Sequence, residues 1–189
     1  MKILIYDLET TGLDCKKNAI HQFSGKIIID GQTKEHIDLH MKPFEGAEIS
    51  QEALNVSGVT EEEINAYPAE DEAYNTIIGL LNKYVSRYDR RDKFYLCGFN
   101  IHRFDNDFFR ALFERHGNKW FGSYFWSDSL DAMLLAAPYL IEKRPYMPNF
   151  KQMSVADALG VTIDQSKLHN ADYDIELTQQ IYDRVCGKY

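Results

Sequence analysis

Ile3-Leu4-Ile5-Tyr6-Asp7-Leu8-Glu9-Thr10-Thr11-Gly12-Leu13 is the stretch from which the fold follows. Its first four residues form an apolar run, the pattern of a buried strand. Strand side chains alternate between faces, so Asp7 and Glu9 share one, separated by roughly 6–7 Å of rise. Two same-face carboxylates at the end of a buried strand do not both stay charged without compensation. Desolvation and mutual repulsion raise one pKa, or a bound cation offsets both charges. An isolated Asp-x-Glu is usually a solvated strand end. Here the Thr10-Thr11-Gly12-Leu13 that follows, and more distant stretches, favour the cation.

Outward from that strand, the chain reads as α/β. A second strand near 20–30 and a third over 34–41 meet at an Asp30-Gly31 turn, which predicts a hairpin extending the sheet. Ser50 caps a short helix reaching about Asn55, and Thr60-Glu61-Glu62-Glu63 has the capping-box pattern. A longer amphipathic helix covers roughly 70–88, with Ile77, Ile78, Leu81, Tyr84 and Val85 inward. Phe94-Tyr95-Leu96-Cys97 is a buried strand, and Phe104 opens a helix to about His116. A strand near 122–127 is expected next, then helices near 129–137, 151–159 and 170–186. Strands first and strand–helix alternation afterwards predict a mixed central sheet of about five strands with helices on both faces.

Length and composition set bounds. The 189 residues suit a single domain, 1–189. No apolar run reaches membrane-spanning length, and Met1-Lys2 leads straight into a strand, so a cytoplasmic protein without membrane attachment is expected. Cys15, Cys97 and Cys186 are too few and too widely spaced for a zinc pattern or disulfide framework. The net charge of −8 argues against extended nonspecific wrapping of nucleic acid, though not against gripping a few nucleotides.

Two further acids stand out. Asp105 lies in the first turn of its helix, where an anion is electrostatically favoured. It shares a side with Phe109 and Leu112, whereas Asp107 groups with Arg110 and Glu114, so Asp105 is preferred. Asp174 falls on the apolar stripe of the last helix with Ile175, Thr178, Ile181 and Tyr182, where an unpaired carboxylate is expensive to bury. His169 precedes Asp174 by five residues, roughly 140° around a helix, so it belongs at the helix entrance. There, histidine is the natural group to take a proton near neutral pH. The aromatic residues from Phe108 to Trp126 suggest either base stacking or, more economically, a core.

Together these stretches resemble the DEDDh class of 3′→5′ exonucleases, DnaQ-like members of the ribonuclease H-like superfamily that includes polymerase proofreading subunits. Asp7 to Leu13 matches the first motif, Gly98-Phe99-Asn100-Ile101-His102-Arg103-Phe104-Asp105 the second, and His169-Asn170-Ala171-Asp172-Tyr173-Asp174 the His-x-Ala-x-x-Asp third. Ala53-Leu54-Asn55-Val56-Ser57-Gly58-Val59-Thr60 looks like the family's helix and turn after the third strand. Phe99 stands where many members carry His, and Asn100 to Asp105 is one residue longer than in many proofreading subunits. The resemblance implies a ribonuclease H-like fold and two divalent cations, Mg²⁺ or Mn²⁺, held by Asp7, Glu9, Asp105 and Asp174. It implies His169 as the base for the attacking water, and release of nucleoside 5′-monophosphates. Thr10, Thr11, Gly12 and Leu13 would receive the 3′ end: Thr10 at the sugar, Gly12 by close backbone approach and Leu13 against the last base. Asn100 and Phe104 would form a wall. The expected substrate is the 3′ end of single-stranded DNA, with RNA ends as the alternative and a non-catalytic end-binding or polymerase-associated module as a third. A DNA polymerase or a second copy of the chain is the expected protein partner.

Overall fold

Alternation along one strand organises the molecule. The computed structural model describes residues 1–164 and 171–187. Strand β1 (Lys2–Thr10) sends Leu4, Tyr6 and Leu8 into the larger core and Ile3 and Ile5 into a smaller one on the opposite face. It is the central strand of a five-stranded sheet with β2 (Ile20–Ile29), β3 (Gln32–His40), β4 (Tyr95–Gly98) and β5 (Leu130–Asp131), in the order β3-β2-β1-β4-β5. β1, β2 and β3 pair antiparallel, while β4 joins β1 and β5 joins β4 in parallel, so the sheet is mixed as expected. The β2–β3 turn has positive φ at both Asp30 and Gly31, the backbone a tight hairpin demands.

Helices cover both faces. Ile77 and Leu81 of α3 (Glu70–Tyr84) and Phe108, Phe109, Leu112 and Phe113 of α4 (Asp105–Arg115) close the larger core. On the other face lies α8 (Ala171–Cys186), which sets Ile175 and Tyr182 against Ile3, Ile5 and Ile28. A different side of α8 buries Leu177 and Ile181 against α6 (Ala132–Tyr139) and α7 (Gln152–Ala158). Two smaller helices, α1 (Gln51–Ser57) and α2 (Glu61–Asn65), follow β3, and Thr60 and Glu63 form the predicted capping box. No helix among the described residues is long and apolar enough to cross a membrane.

The strand expected near 122–127 is instead a short helix, α5 (Phe121–Tyr124), and the fifth strand is a two-residue segment further on. Phe121, Tyr124 and Phe125 are all buried, at i, i+3 and i+4, a helical spacing that aromatic strand propensity obscures. The phenylalanines of the aromatic stretch and Tyr124 are core, whereas Trp120 is 63% exposed. Phe109 meets Tyr6, Phe23, Phe113, Phe121 and Phe125 at ring-centroid distances of 5.2–5.4 Å. Those rings therefore have no face free for a base. Cys15, Cys97 and Cys186 are free thiols, Cys97 buried in β4.

A bulge sits where β1 leaves the sheet: Glu9 pairs with Gln22, but Thr10 pairs with Ile20. The extra residue is His21, only 1% exposed, with neither ring nitrogen meeting a hydrogen-bond partner among the described residues. Burial pushes its pKa down to about 4, and the nearby His40 adds to the effect. The folded chain thus binds fewer protons at this site than the unfolded chain between pH 6.5 and 4. The stability that depends on neutral His21 is complete above pH 6.5 and is lost as pH falls toward 4, about 3 kcal/mol in all. His21→Leu is expected to raise the urea midpoint at pH 7.5 and to flatten the acid limb below pH 6.5. An unchanged acid limb would show that His21 does not govern it.

Candidate active site

The face of β1 that carries Ile3 and Ile5 turns acidic at its C-terminal end. Asp7 and Glu9 continue the same alternation, both half-buried between flanking residues that point into the larger core. This is where β4 stops pairing with β1, since their register ends at Ile5 opposite Cys97. The Leu8 N–H donates instead to Asp105 Oδ1 at 3.1 Å, tying the first residue of α4 to the catalytic-looking strand. Asp105 is buried, whereas Asp107 is exposed. Asp174 comes from α8 and is half-buried rather than enclosed, because α8 meets the sheet through Ile175 and Tyr182 beyond it. Gln152 Nε2 on α7 donates to the Asp174 carbonyl and to Thr178 Oγ1, both at 2.7 Å, which fixes the turn bearing Asp174.

These acids influence one another's ionisation. Burial holds the Asp7 carboxyl well above the usual carboxylate range, and the negative charges of Asp105, Glu9 and Asp174 push it further. Burial likewise pushes Asp105 up to about 7, aided by Glu9 and Asp131 and opposed by backbone N–H donors, including that of Leu8. Four carboxylates from β1, α4 and α8 thus act on one another across a desolvated space. Among the described residues no three such groups close into a chelating cluster. The donors are all hard carboxylate oxygens, which suit Mg²⁺ or Mn²⁺. A divalent cation would offset the repulsion that raises Asp7 and Asp105. His169 lies outside the described residues.

In the loop after β1, contacts within the protein account for Thr11 and Gly12. Thr11 is fully buried; its hydroxyl donates to the Glu48 carbonyl at 2.8 Å and accepts from Ala19 N–H at 2.9 Å. That hydroxyl is engaged within the loop. A Cβ at Gly12 would lie 2.4 Å from the Asn18 carboxamide, which donates to the Glu48 carbonyl and accepts from Asp14 N–H. Gly12 therefore makes room for Asn18, a sufficient reason for glycine there without any nucleotide. Thr10 donates its hydroxyl hydrogen to the Gly12 carbonyl at 2.8 Å, which leaves its oxygen able to accept. Leu13 projects outward, 86% exposed, as does Val56 of α1 at 76%.

Asn100 sits at φ 67° and Phe104 is half-buried, its ring 4.9 Å from that of Phe108. The feature missing from the motif arithmetic is Asp131, 2% exposed. Its Oδ1 accepts from the N–H groups of Asn100 (3.0 Å), Met133 (3.0 Å) and Leu134 (3.3 Å), and its Oδ2 from His102 (3.0 Å). One carboxylate thus caps α6 and shapes the Asn100–His102 loop that leads to Asp105. Its sequence signal was an acid directly before an apolar helix, the N-cap signature.

Comparison with known proteins agrees with this architecture. A family model described as Exonuclease, RNase_T, matches residues 4–182. Ribonuclease T of Hahella chejuensis is 24% identical over 194 residues, covering 98% of this chain and 84% of that one. The PolC-type DNA polymerase III of Mycoplasmopsis pulmonis is 25% identical over 179 residues, 95% of this chain but 11% of the polymerase. Among solved structures, E. coli Exonuclease I in complex with a dT13 oligonucleotide superimposes with a TM-score of 0.77 at 21% identity. That match covers 99% of this chain and 41% of the other, so this chain spans less than half of Exonuclease I.

Proposed function

Since the chain belongs to the exonuclease family whose model spans residues 4–182, we propose that it removes nucleotides from the 3′ end of single-stranded DNA, as nucleoside 5′-monophosphates, with the aid of two divalent cations. The observation that carries this is the Leu8 N–H bond that ties Asp105 to the acidic end of β1, together with the charges of Glu9, Asp105 and Asp174 that act on Asp7. Asp7, Glu9, Asp105 and Asp174 would hold Mg²⁺ or Mn²⁺. When bound, such a pair stabilises the attacking and leaving oxygens of an in-line phosphoryl displacement. The Leu8 N–H holds Asp105 Oδ1 in place, and Gln152 holds the backbone that carries Asp174. In our reading His169, two residues before the described start of α8 in the third motif, takes the proton of the attacking water.

Leu13 packs against the terminal base, and Val56 of α1 is a second exposed apolar side chain. Thr10 accepts a hydrogen bond from the terminal sugar, and Asn100 and Phe104 line the approach. The Gly12 backbone stays within reach of the end, while Thr11 serves by holding the loop. Single-stranded DNA is favoured by the oligonucleotide in the Exonuclease I complex. A second reading, RNA ends as substrate, rests on the similarity to Ribonuclease T along almost the whole chain. A polymerase partner is supported by the likeness to the PolC-type enzyme.

The test uses 3′-labelled DNA and RNA oligonucleotides with Mg²⁺, Mn²⁺ or EDTA, for the parent chain and Asp174→Ala. We expect mononucleotide release that EDTA abolishes, faster on DNA, and lost in Asp174→Ala by about 10³-fold, the scale of removing a preorganised electrostatic group. No metal-dependent release on either substrate would reject the enzymatic reading. Faster release from RNA would reassign the substrate, and equal release by Asp174→Ala would reject the site.

A further inference from the structure

We infer that Ser57 is a positioning residue for Glu9, acting through that carboxylate on the binding of a divalent cation; the inference rests on the metal-dependent reading above. Ser57 Oγ lies 2.6 Å from Glu9 Oε2 across 48 residues of sequence, and 3.4 Å from the Ala53 carbonyl one turn back on its own helix. A hydroxyl has one hydrogen to give. The shorter, charge-assisted bond to the carboxylate takes it.

The surroundings are built to deliver that hydroxyl. Leu54, fully buried, is the buried residue of α1, and Ser57 follows it at i+3, on the adjoining side. Gly58, at φ 70°, ends the helix directly after Ser57. Ser57 does no capping work that would otherwise explain it: the helix starts at Ser50, and its end is closed by backbone N–H groups. The bond instead crosses from α1 to the acidic end of β1.

Glutamate has three side-chain torsions to restrain, more than the aspartates beside it. One Glu9 oxygen is engaged by Ser57, which limits the rotamers open to the other. A ligand held in this way loses less freedom when it closes on a cation.

Calorimetric titration of the full chain with Mn²⁺, without nucleic acid, provides the readout. Ser57→Ala is expected to weaken Mn²⁺ binding about 10-fold, within the range for partners that orient a metal ligand, while Ser57→Thr, which keeps the hydroxyl, stays close to the parent. Thermal unfolding of both variants in EDTA should match the parent, which a merely structural serine would not allow. Ser57→Cys, similar in size but a weak donor, should fall on the alanine side; it decides the matter should Ser57→Ala fail to fold. Parent-like Mn²⁺ affinity in the alanine or cysteine variant, with metal-dependent hydrolysis intact in the parent, would overturn the role of Ser57 alone. An absence of both Mn²⁺ binding and hydrolysis in the parent would overturn the metal-dependent reading and this inference with it.

Discussion

Asp105→Asn is expected to stabilise the protein in EDTA while lowering metal-dependent turnover by about 10³-fold. Both effects come from one charge. The Asp105 carboxyl, buried and facing Glu9 and Asp131, titrates near 7, against 3.8 for the free group. The folded chain therefore holds a proton there that the unfolded chain has released between those values. Stability in EDTA falls as pH rises through that window, and the cost of the charged form above pH 7 is about 4 kcal/mol. Asparagine removes the charge, keeps an oxygen for the Leu8 N–H and occupies nearly the same volume. At pH 8 we expect a gain of about 2–4 kcal/mol over the parent in EDTA, the raised pKa being the measure of what is relieved. The midpoint shift produced by Mg²⁺ should shrink in the same variant, because a ligand is lost. A lower midpoint in EDTA, or turnover near that of the parent, would contradict the account. The slope in pH is opposite in sign to that of His21, so over pH 4–6.5 the two partly cancel in the parent, and each single variant exposes the other.

Asp131→Ala is expected to be the most destabilising single change outside the hydrophobic cores. It strands four N–H groups, those of Asn100, His102, Met133 and Leu134. Each buried donor left without a partner costs about 1–3 kcal/mol, and the loss of the α6 cap is part of that sum, so we expect about 4 kcal/mol after partial resolvation. Asp131→Asn separates geometry from charge. Its oxygen can still serve the donors of Oδ1, but its NH₂ group would face the His102 N–H. That variant should lose about 1–2 kcal/mol, one unmet donor's worth. Turnover should fall in the alanine variant even where it remains folded, since the loop held by Asp131 leads into Asp105. Denaturant titration and hydrolysis rates on the two variants check the order; equal losses for alanine and asparagine would rule out the N–H count as the cause.

Much of the architecture was legible because it is periodic. Alternation placed Asp7 and Glu9 on one face of the strand, and the Asp30-Gly31 pair set the hairpin. The helical period separated buried Asp105 from exposed Asp107. Where two periods competed, as at Phe121–Phe125, aromatic composition pointed to a strand and packing chose a helix. Asp174 was placed on the inward stripe, yet it is half-buried, since a stripe says which way a side chain faces and not how far the neighbouring layer extends.

By itself, then, the sequence determined the strands and helices as far as α4 and the acidic end of β1, and its motifs carried the resemblance to the family. The elements follow from local spacing, which each segment carries within itself. Only the tertiary structure decided that Leu8 N–H holds Asp105 across 97 residues, that Asp131 organises the loop before it, and that Ser57 meets Glu9. Such pairings depend on where separate elements come to rest against one another. No spacing within either element encodes them, and the raised pKa values of Asp7 and Asp105 exist only once those elements have excluded water together.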